Sequence, residues 1–185
     1  MSHLMPPKES DRTITPVAIP NESRLRHLYE KPDLADAYSI RLPNNATTDP
    51  ETIARFLFSH RSPWFSLLMQ LRDALVAPFG IKTSGQFQGS GGKRIGVFKI
   101  YEAGIHEIVM GEDDIHLNFR LSILLQRKNH PYIVLSTVAH CHNLLGRIYI
   151  KLITPFHRIV VRSVLSRSAR IGWQNCYSGH DDDNI

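Results

Sequence analysis

The sequence is poor in cysteine, with only Cys141 and Cys176 among 185 residues. Two cysteines do not form the disulfide framework of a small secreted protein, so a cytoplasmic location is expected. The N-terminus lacks the basic and apolar segments of a signal peptide. No run reaches the roughly 18 uncharged apolar residues of a membrane span, because basic residues interrupt even the most apolar stretch, 144–165. We therefore expect neither secretion nor a transmembrane segment.

Motifs for common catalytic and metal sites are also missing. The glycine-rich segment 89–93 fails the phosphate-loop pattern, which requires Gly at Phe87 and Ser or Thr at Arg94. The segment 140–142 reads His-Cys-His. Because alternate residues of a strand project to the same side, the two histidines could share an ion, but Cys141 would point away and no third ligand follows at a metal-site spacing. No nucleophile motif accompanies the histidines. We predict no metal and no cofactor, and the sequence assigns no reaction.

Length and composition indicate one globular domain. The chain is 42% hydrophobic and 21% charged with a net charge of +5, which is ordinary for a folded protein and permits an anionic partner. Both ends are polar and lack hydrophobic periodicity. We predict a flexible extension over 1–15, a single domain over 16–170 and a disordered tail over 171–185.

Capping residues and apolar spacing predict the elements of the first half. A short helical piece is expected over 21–29, and a first strand over 37–42. Asp-Pro-Glu at 49–51 begins a predicted helix that runs to about residue 60. Ser-Pro-Trp at 62–64 begins a second, amphipathic helix that ends before Pro78.

The second half changes to an alternating pattern and then back to a helical one. Strands are predicted over 95–102, 105–110, 115–123 and 132–142, joined by polar or glycine-containing turns. A helix is predicted over 144–168. The order is that of an α+β protein with an antiparallel sheet.

Two faces of this last helix are distinguished by their side chains. The face expected to pack on the sheet carries Leu145, Tyr149, Leu152, Phe156, Ile159 and Val160. A basic stripe within about 60° of arc carries Arg147, Lys151, Arg158 and Arg162. Such a stripe is often only the solvated side of a helix, but it can also contact an anionic surface.

Three segments resemble a known family: GEDDIHLNFR at 111–120, HNLLGRIY at 142–149 and PFHR at 155–158. They are similar to signature segments of the bacterial "domain of unknown function 2867" family. The order of elements resembles the helix-grip superfamily, also called START-like or SRPBCC. This resemblance implies a curved antiparallel sheet wrapped around a long C-terminal helix, and no established activity. It also implies a possible reductase-like partner, either a fused domain or a separate protein.

The hairpin before the last helix suggests a ligand site. A two-residue turn at 128–129 would set Leu117 opposite His140, so that His140 and His142 point toward the helix. A register change of one residue would reverse these directions, leaving the histidines at the sheet rim. The predicted ligand-binding residues are Tyr101, His106, Leu117, Phe119, His140, His142, Leu152 and Phe156.

Three functions follow as hypotheses. The first is binding of a small apolar ligand between sheet and helix, although the same side chains could fill a solid core. The second is a small enzyme that uses inward histidines and a tyrosine for acid–base chemistry. The third is binding to an anionic surface through the basic stripe. Nucleic acid is not expected, because the stripe has no interleaved exposed aromatic residues. The sequence leaves the oligomeric state open.

Overall fold

The computed structural model describes residues 13–43, 46, 49–59, 93–127 and 130–173. Within these residues it contains seven strands and two helices. Their bounds are β1 Thr15–Pro16, β2 Leu34–Arg41, α1 Pro50–Ser59, β3 Arg94–Ile95, β4 Phe98–Ala103, β5 Glu107–Asp113, β6 Leu117–Arg127, β7 Pro131–Cys141 and α2 Leu144–Ile171.

The strands form one curved antiparallel sheet in the order β1-β2-β7-β6-β5-β4-β3. The long strands β2, β7, β6 and β5 lie side by side, and two-residue strands close both edges. Short edge strands limit the unpaired backbone that a sheet offers to other chains. The predicted α+β class is confirmed, with a large antiparallel sheet and a long C-terminal helix.

The inner face of the sheet, which is the face covered by the helices, holds the main core. Ile108, Ile123 and Ile133 are almost fully buried there, at the centre of three neighbouring strands. Helix α1 packs against this cluster, and so does the C-terminal half of α2, through Val161 and Leu165. Burying large aliphatic side chains stabilises the fold by about 1.5–3 kcal/mol each.

The N-terminal half of α2 packs on a second, smaller cluster of the inner face. Ile150 and Ile153 of α2 are buried against Leu34 of β2 and against Ala139 and Cys141 of β7. The predicted helix face is therefore wrong for Leu152, Phe156 and Ile159, which are 52%, 50% and 56% exposed. Helix α2 carries apolar residues on two sides, and the packing against the sheet, not the periodicity of the sequence, determines which side is buried.

The outer face of the sheet is partly covered by the segment that precedes β2. Leu25 is buried against Val109 and Val138 of the outer face. Beside it, the buried carboxylate of Glu107 accepts hydrogen bonds from Ser23 Oγ at 2.7 Å and from the backbone N–H of Arg24 at 2.9 Å. These bonds anchor the segment, which contains turns where a short helix was predicted.

The remaining predicted elements agree with the structure to different degrees. Four of the five predicted strands are present with shifted ends, and the strand predicted over 95–102 is divided into β3 and β4 by a turn at 96–97. Helices α1 and α2 begin where predicted. The helix predicted from residue 62 lies outside the described residues. Packing continues past the predicted domain end, because Trp173 is buried and contacts Phe56 at 5.7 Å between ring centroids.

The start of α2 lies very close to the turn between β5 and β6. Asn143 caps the helix by accepting from the Gly146 N–H at 3.0 Å, and it also hydrogen-bonds His116. A β-carbon on Gly146 would lie 2.3 Å from the carbonyl oxygen of His116. Only glycine permits this approach.

Substitution of Gly146 by alanine tests the close approach of α2 to the carbonyl oxygen of His116. Inside an unconstrained helix this change would stabilise by about 1 kcal/mol. Here we expect destabilisation of about 1–3 kcal/mol, because the backbone of α2 must move away from the sheet. Urea unfolding measures the sign of the change directly. A more stable variant would contradict the described packing.

Substitution of Glu107 by glutamine tests the anchor of the N-terminal segment. An amide has one acceptor oxygen, so one of the two N–H or O–H donors would face an NH₂ group. We expect a loss of about 1–3 kcal/mol in the free energy of unfolding. Glu102→Gln is the matched control, because Glu102 is 49% exposed and pairs with Arg24, and it should cost about 0–1 kcal/mol. Equal losses would contradict the anchoring role.

Candidate functional site

The β6–β7 hairpin has a three-residue loop, and this reverses the predicted direction of the histidines. Arg127 pairs with Pro131, which sets Asn118 opposite His140 and Leu117 opposite Cys141. The predicted register is therefore wrong by one residue. His140 lies on the outer face, and Cys141 points beneath α2 instead.

The predicted ligand-binding residues consequently lie in separate places. Leu117 and Phe119 are partly buried on the inner face, where they pack against the smaller cluster beneath α2. Tyr101 contacts residues of the outer face, and His106 is exposed in the turn before β5. His142 is exposed after β7, and the two residues of α2, Leu152 and Phe156, face away from the sheet.

Tyr101 belongs to a polar cluster on the outer face. Its hydroxyl donates to Asp113 Oδ2 at 2.8 Å, and the guanidinium of Arg120 stacks over its ring at 3.6 Å. Arg120 also donates to Asp113 at 2.8 and 3.1 Å and to the carbonyl oxygen of Phe119 at 2.9 Å. Tyr101, Asp113 and Arg120 are each other's bonding and stacking partners, so the main role of the cluster is to stabilise this end of the sheet.

Burial and partners shift the pKa values of this cluster. Burial, followed by the hydrogen bond to Asp113, raises the pKa of Tyr101 to about 12. Burial opposes ionisation of Asp113, but hydrogen bonds from Arg120 and Tyr101 outweigh it and hold its pKa below the ordinary value. Tyr101 therefore remains a neutral donor near neutral pH, and Asp113 remains an ionised acceptor.

His140 lies beside this cluster, between two other rings. Tyr29 stacks on it with 5.2 Å between ring centroids, and the His142 ring lies edge-on at 5.7 Å. Asp33 Oδ2 is 3.9 Å from His140 Nδ1, which is too long for a hydrogen bond. Among the described residues no three His, Cys, Asp or Glu side chains converge as metal ligands.

Cys141 is not prepared for nucleophilic chemistry. Its thiol is buried, and burial together with the neighbouring Asp33 carboxylate raises its pKa to about 12. Asp33 also accepts from the Cys141 backbone N–H at 2.7 Å. A thiol with a raised pKa holds little of the reactive thiolate, so we assign Cys141 a packing role.

The predicted basic stripe is exposed along α2, and it runs beside β2. Arg147 Nε lies 3.5 Å from Asp33, and Arg158 Nε lies 4.0 Å from Asp36. The guanidinium of Arg162 lies 5.4 Å from the ring centroid of Tyr38. Lys151 is exposed, and no described acidic side chain pairs with it. A hydrogen bond of 3.3 Å between His157 and Asp36 fixes the helix against this strand.

A second stripe on α2, which we name the apolar stripe, was not predicted as a surface. Its residues recur at spacings of four, four, four and three, which places them within about 120° of arc on the exposed side of the helix. The sequence held this signal, but Leu152, Phe156 and Ile159 were assigned to the face that packs on the sheet, and Leu144 and Ile148 were assigned to neither face. The apolar stripe comprises Leu144 (71% exposed), Ile148 (47%), Leu152 (52%), Phe156 (50%) and Ile159 (56%).

Replacement of Asp113 by asparagine tests the electrostatics of the outer cluster. The change removes a negative charge and weakens the acceptor for the Tyr101 hydroxyl, so the pKa of Tyr101 should fall from about 12 toward 10. A raised pKa stabilises the neutral form, so this contribution to stability is present below pH 10 and is lost as the pH rises through about 12. Phenolate absorbance measures the titration, and Tyr101→Phe identifies the signal. An unchanged pKa would mean that burial alone causes the shift.

The sequence was compared with known proteins. Residues 28–164, well over half of the chain, match a family model described as "Protein of unknown function (DUF2867)". No curated protein and no solved structure showed a match. Among the described residues, neither helix combines the length and apolar character that a bilayer crossing requires.

Proposed function

The chain belongs to the DUF2867 family of proteins of unknown function, and we propose that it docks onto an anionic surface through helix α2. One observation carries the proposal. Over its 28 residues α2 contains no Asp or Glu, but it contains the basic residues Arg147, Lys151, Arg158, Arg162, Arg167 and Arg170.

The sequence on both sides of α2 also lacks acidic residues. No acidic residue occurs between Asp114 and Asp181, a region that includes β6, β7 and the whole of α2. Four of the six basic residues, Arg147, Lys151, Arg158 and Arg162, lie within about 60° of arc, and the acidic side chains described near them, Asp33 and Asp36, come from the β2 region and not from the helix. Such a one-sided distribution attracts an anionic partner and orients it.

Acidic residues of β2 weaken only part of this field. Asp33 and Asp36 lie near Arg147 and Arg158, but both arginines remain more than half exposed. Ion pairs at such exposure contribute little and leave the guanidinium accessible to a partner. Lys151 and Arg162 have no described acidic partner, so we expect them to contribute most to docking.

Small-molecule binding and catalysis have less support as functions. The residues predicted to surround an apolar ligand lie on opposite faces of the sheet and on the outside of α2. Beneath α2 the side chains pack against one another, with Ile150, Ile153 and Ala139 buried. Tyr101, Asp113 and Arg120 of the outer face bond to one another, and Cys141 has a raised pKa.

Charge reversal of Lys151 and Arg162 tests the docking surface. We expect Lys151→Glu/Arg162→Glu to reduce the affinity for vesicles that contain phosphatidylglycerol and for a soluble polyanion by at least about tenfold, since each basic residue contributes about 1 kcal/mol near an anionic surface. Wild-type binding should also weaken as salt is added. Sedimentation with vesicles and retention on a heparin column measure the two affinities.

Arg26 offers a control for this reversal. It is exposed in the segment on the outer face of the sheet, on the side opposite α2. Arg26→Glu changes the net charge by the same amount per site and should leave binding nearly unchanged. If it reduces the binding free energy by half as much as the double reversal in α2, then net charge alone attracts the polyanion and the proposed surface is wrong.

A further inference from the structure

We infer that the anionic partner is a lipid bilayer, into whose headgroup region α2 inserts its apolar stripe while lying parallel to the surface. The inference rests on the proposed function and adds a second observation to it. That observation is the exposure of five large apolar side chains on the same helix that carries the basic residues.

The two stripes of α2 have the arrangement that an interfacial helix requires. At about 100° per residue the apolar stripe covers about 120° of arc, and the basic stripe covers the adjoining 60°. The apolar stripe is exposed away from the sheet, and the basic stripe is exposed on the side of the helix next to β2, so side chains of both stripes can reach one plane at the same time. From Leu144 to Ile159 the stripe is about 22 Å long at 1.5 Å per residue. Aliphatic and phenyl groups enter the acyl boundary while flanking basic groups bind lipid phosphates.

A second copy of this chain fits the surface less well. Two-fold pairing of α2 would bring the basic stripe of one protomer close to that of the other, because a symmetric interface repeats the same patch. Among described residues the helix contributes no acidic side chain to compensate this repulsion. Like charges across an interface oppose association.

A folded acidic protein also fits less well than a bilayer. The exposed surface of α2 is a convex ridge, and a protein partner would need a matching groove to bury its five apolar side chains. A fluid bilayer adapts to a ridge and supplies both the apolar interior and the anionic headgroups. The shape and the chemistry of the ridge therefore favour lipid.

Two substitutions in the apolar stripe separate insertion from adsorption. We expect Leu152→Ser/Phe156→Ser to reduce partition onto vesicles of mixed phosphatidylcholine and phosphatidylglycerol by at least about tenfold, because two large apolar contacts are lost. Retention on heparin should stay unchanged, since no charge is altered. Ile105→Ser is the matched control, because Ile105 is 83% exposed in the turn before β5 and should not affect partition.

A fluorescent variant reports on insertion itself. In Phe156→Trp the new indole should be quenched by brominated acyl chains in anionic vesicles, and the wild-type protein gives the background from Trp64 and Trp173. Ile105→Trp should show no added quenching. Vesicle binding without quenching at position 156 would mean adsorption by charge alone and would overturn the inference while leaving the proposed function in place. The inference would also be overturned, and the proposed function left in place, if the charge-reversed protein lost both vesicle and heparin binding while the serine variants bound vesicles as the wild type does.

The thermal stability of the serine variants provides the remaining control. If the apolar stripe faces solvent, the variants should melt within a few degrees of the wild type, as exposed substitutions usually do. A large fall in melting temperature would show that another part of the chain covers the stripe. That result would also overturn the inference.

Discussion

The structure depends on the close packing of α2 against the inner face of the sheet. Ile150 and Ile153 pack at the end of β7, and Val161 and Leu165 pack at the centre of the sheet. The hydrogen bond between His157 and Asp36 fixes the helix beside β2, and Gly146 allows its first turn to approach His116. These contacts determine which side of α2 remains exposed.

An α-helix that is apolar on two sides can use only one of them in a single sheet. Burial of one side supplies the core, and the other side remains in water at a cost in free energy. Scattered apolar groups on a surface are ordinary, but five in a row on one helix form a patch of the kind that marks an interaction site. The basic residues beside the patch give it a charge preference as well.

Element types were predictable because their signals are local. The alternation from Ile115 to Ile123 specified β6, and Asp49-Pro50 specified the start of α1. The family was recognised from three short segments, two of which form the contact between Asn143 and His116. The four residues of the predicted basic stripe are all exposed on α2, and their common side follows from their spacing alone.

The directions of side chains were not predictable in the same way. Whether His140 faces inward depends on the loop length between Arg127 and Pro131, and one residue more reverses every side chain of β7. The orientation of α2 depended on which of two apolar sides packs better, and periodicity does not rank them. The role of Glu107 depended on contacts with Ser23, 84 positions away in sequence, which no local pattern encodes.

The capping and core contacts of α2 make it a helix before it meets any partner. Many peripheral peptides are unstructured in water and lose conformational entropy when a surface orders them. In this protein that loss has already occurred during folding, because the helix is part of the core. The same contacts that keep the domain folded therefore also hold the exposed side of α2 in place, so the proposed adsorption would require no ordering of the backbone.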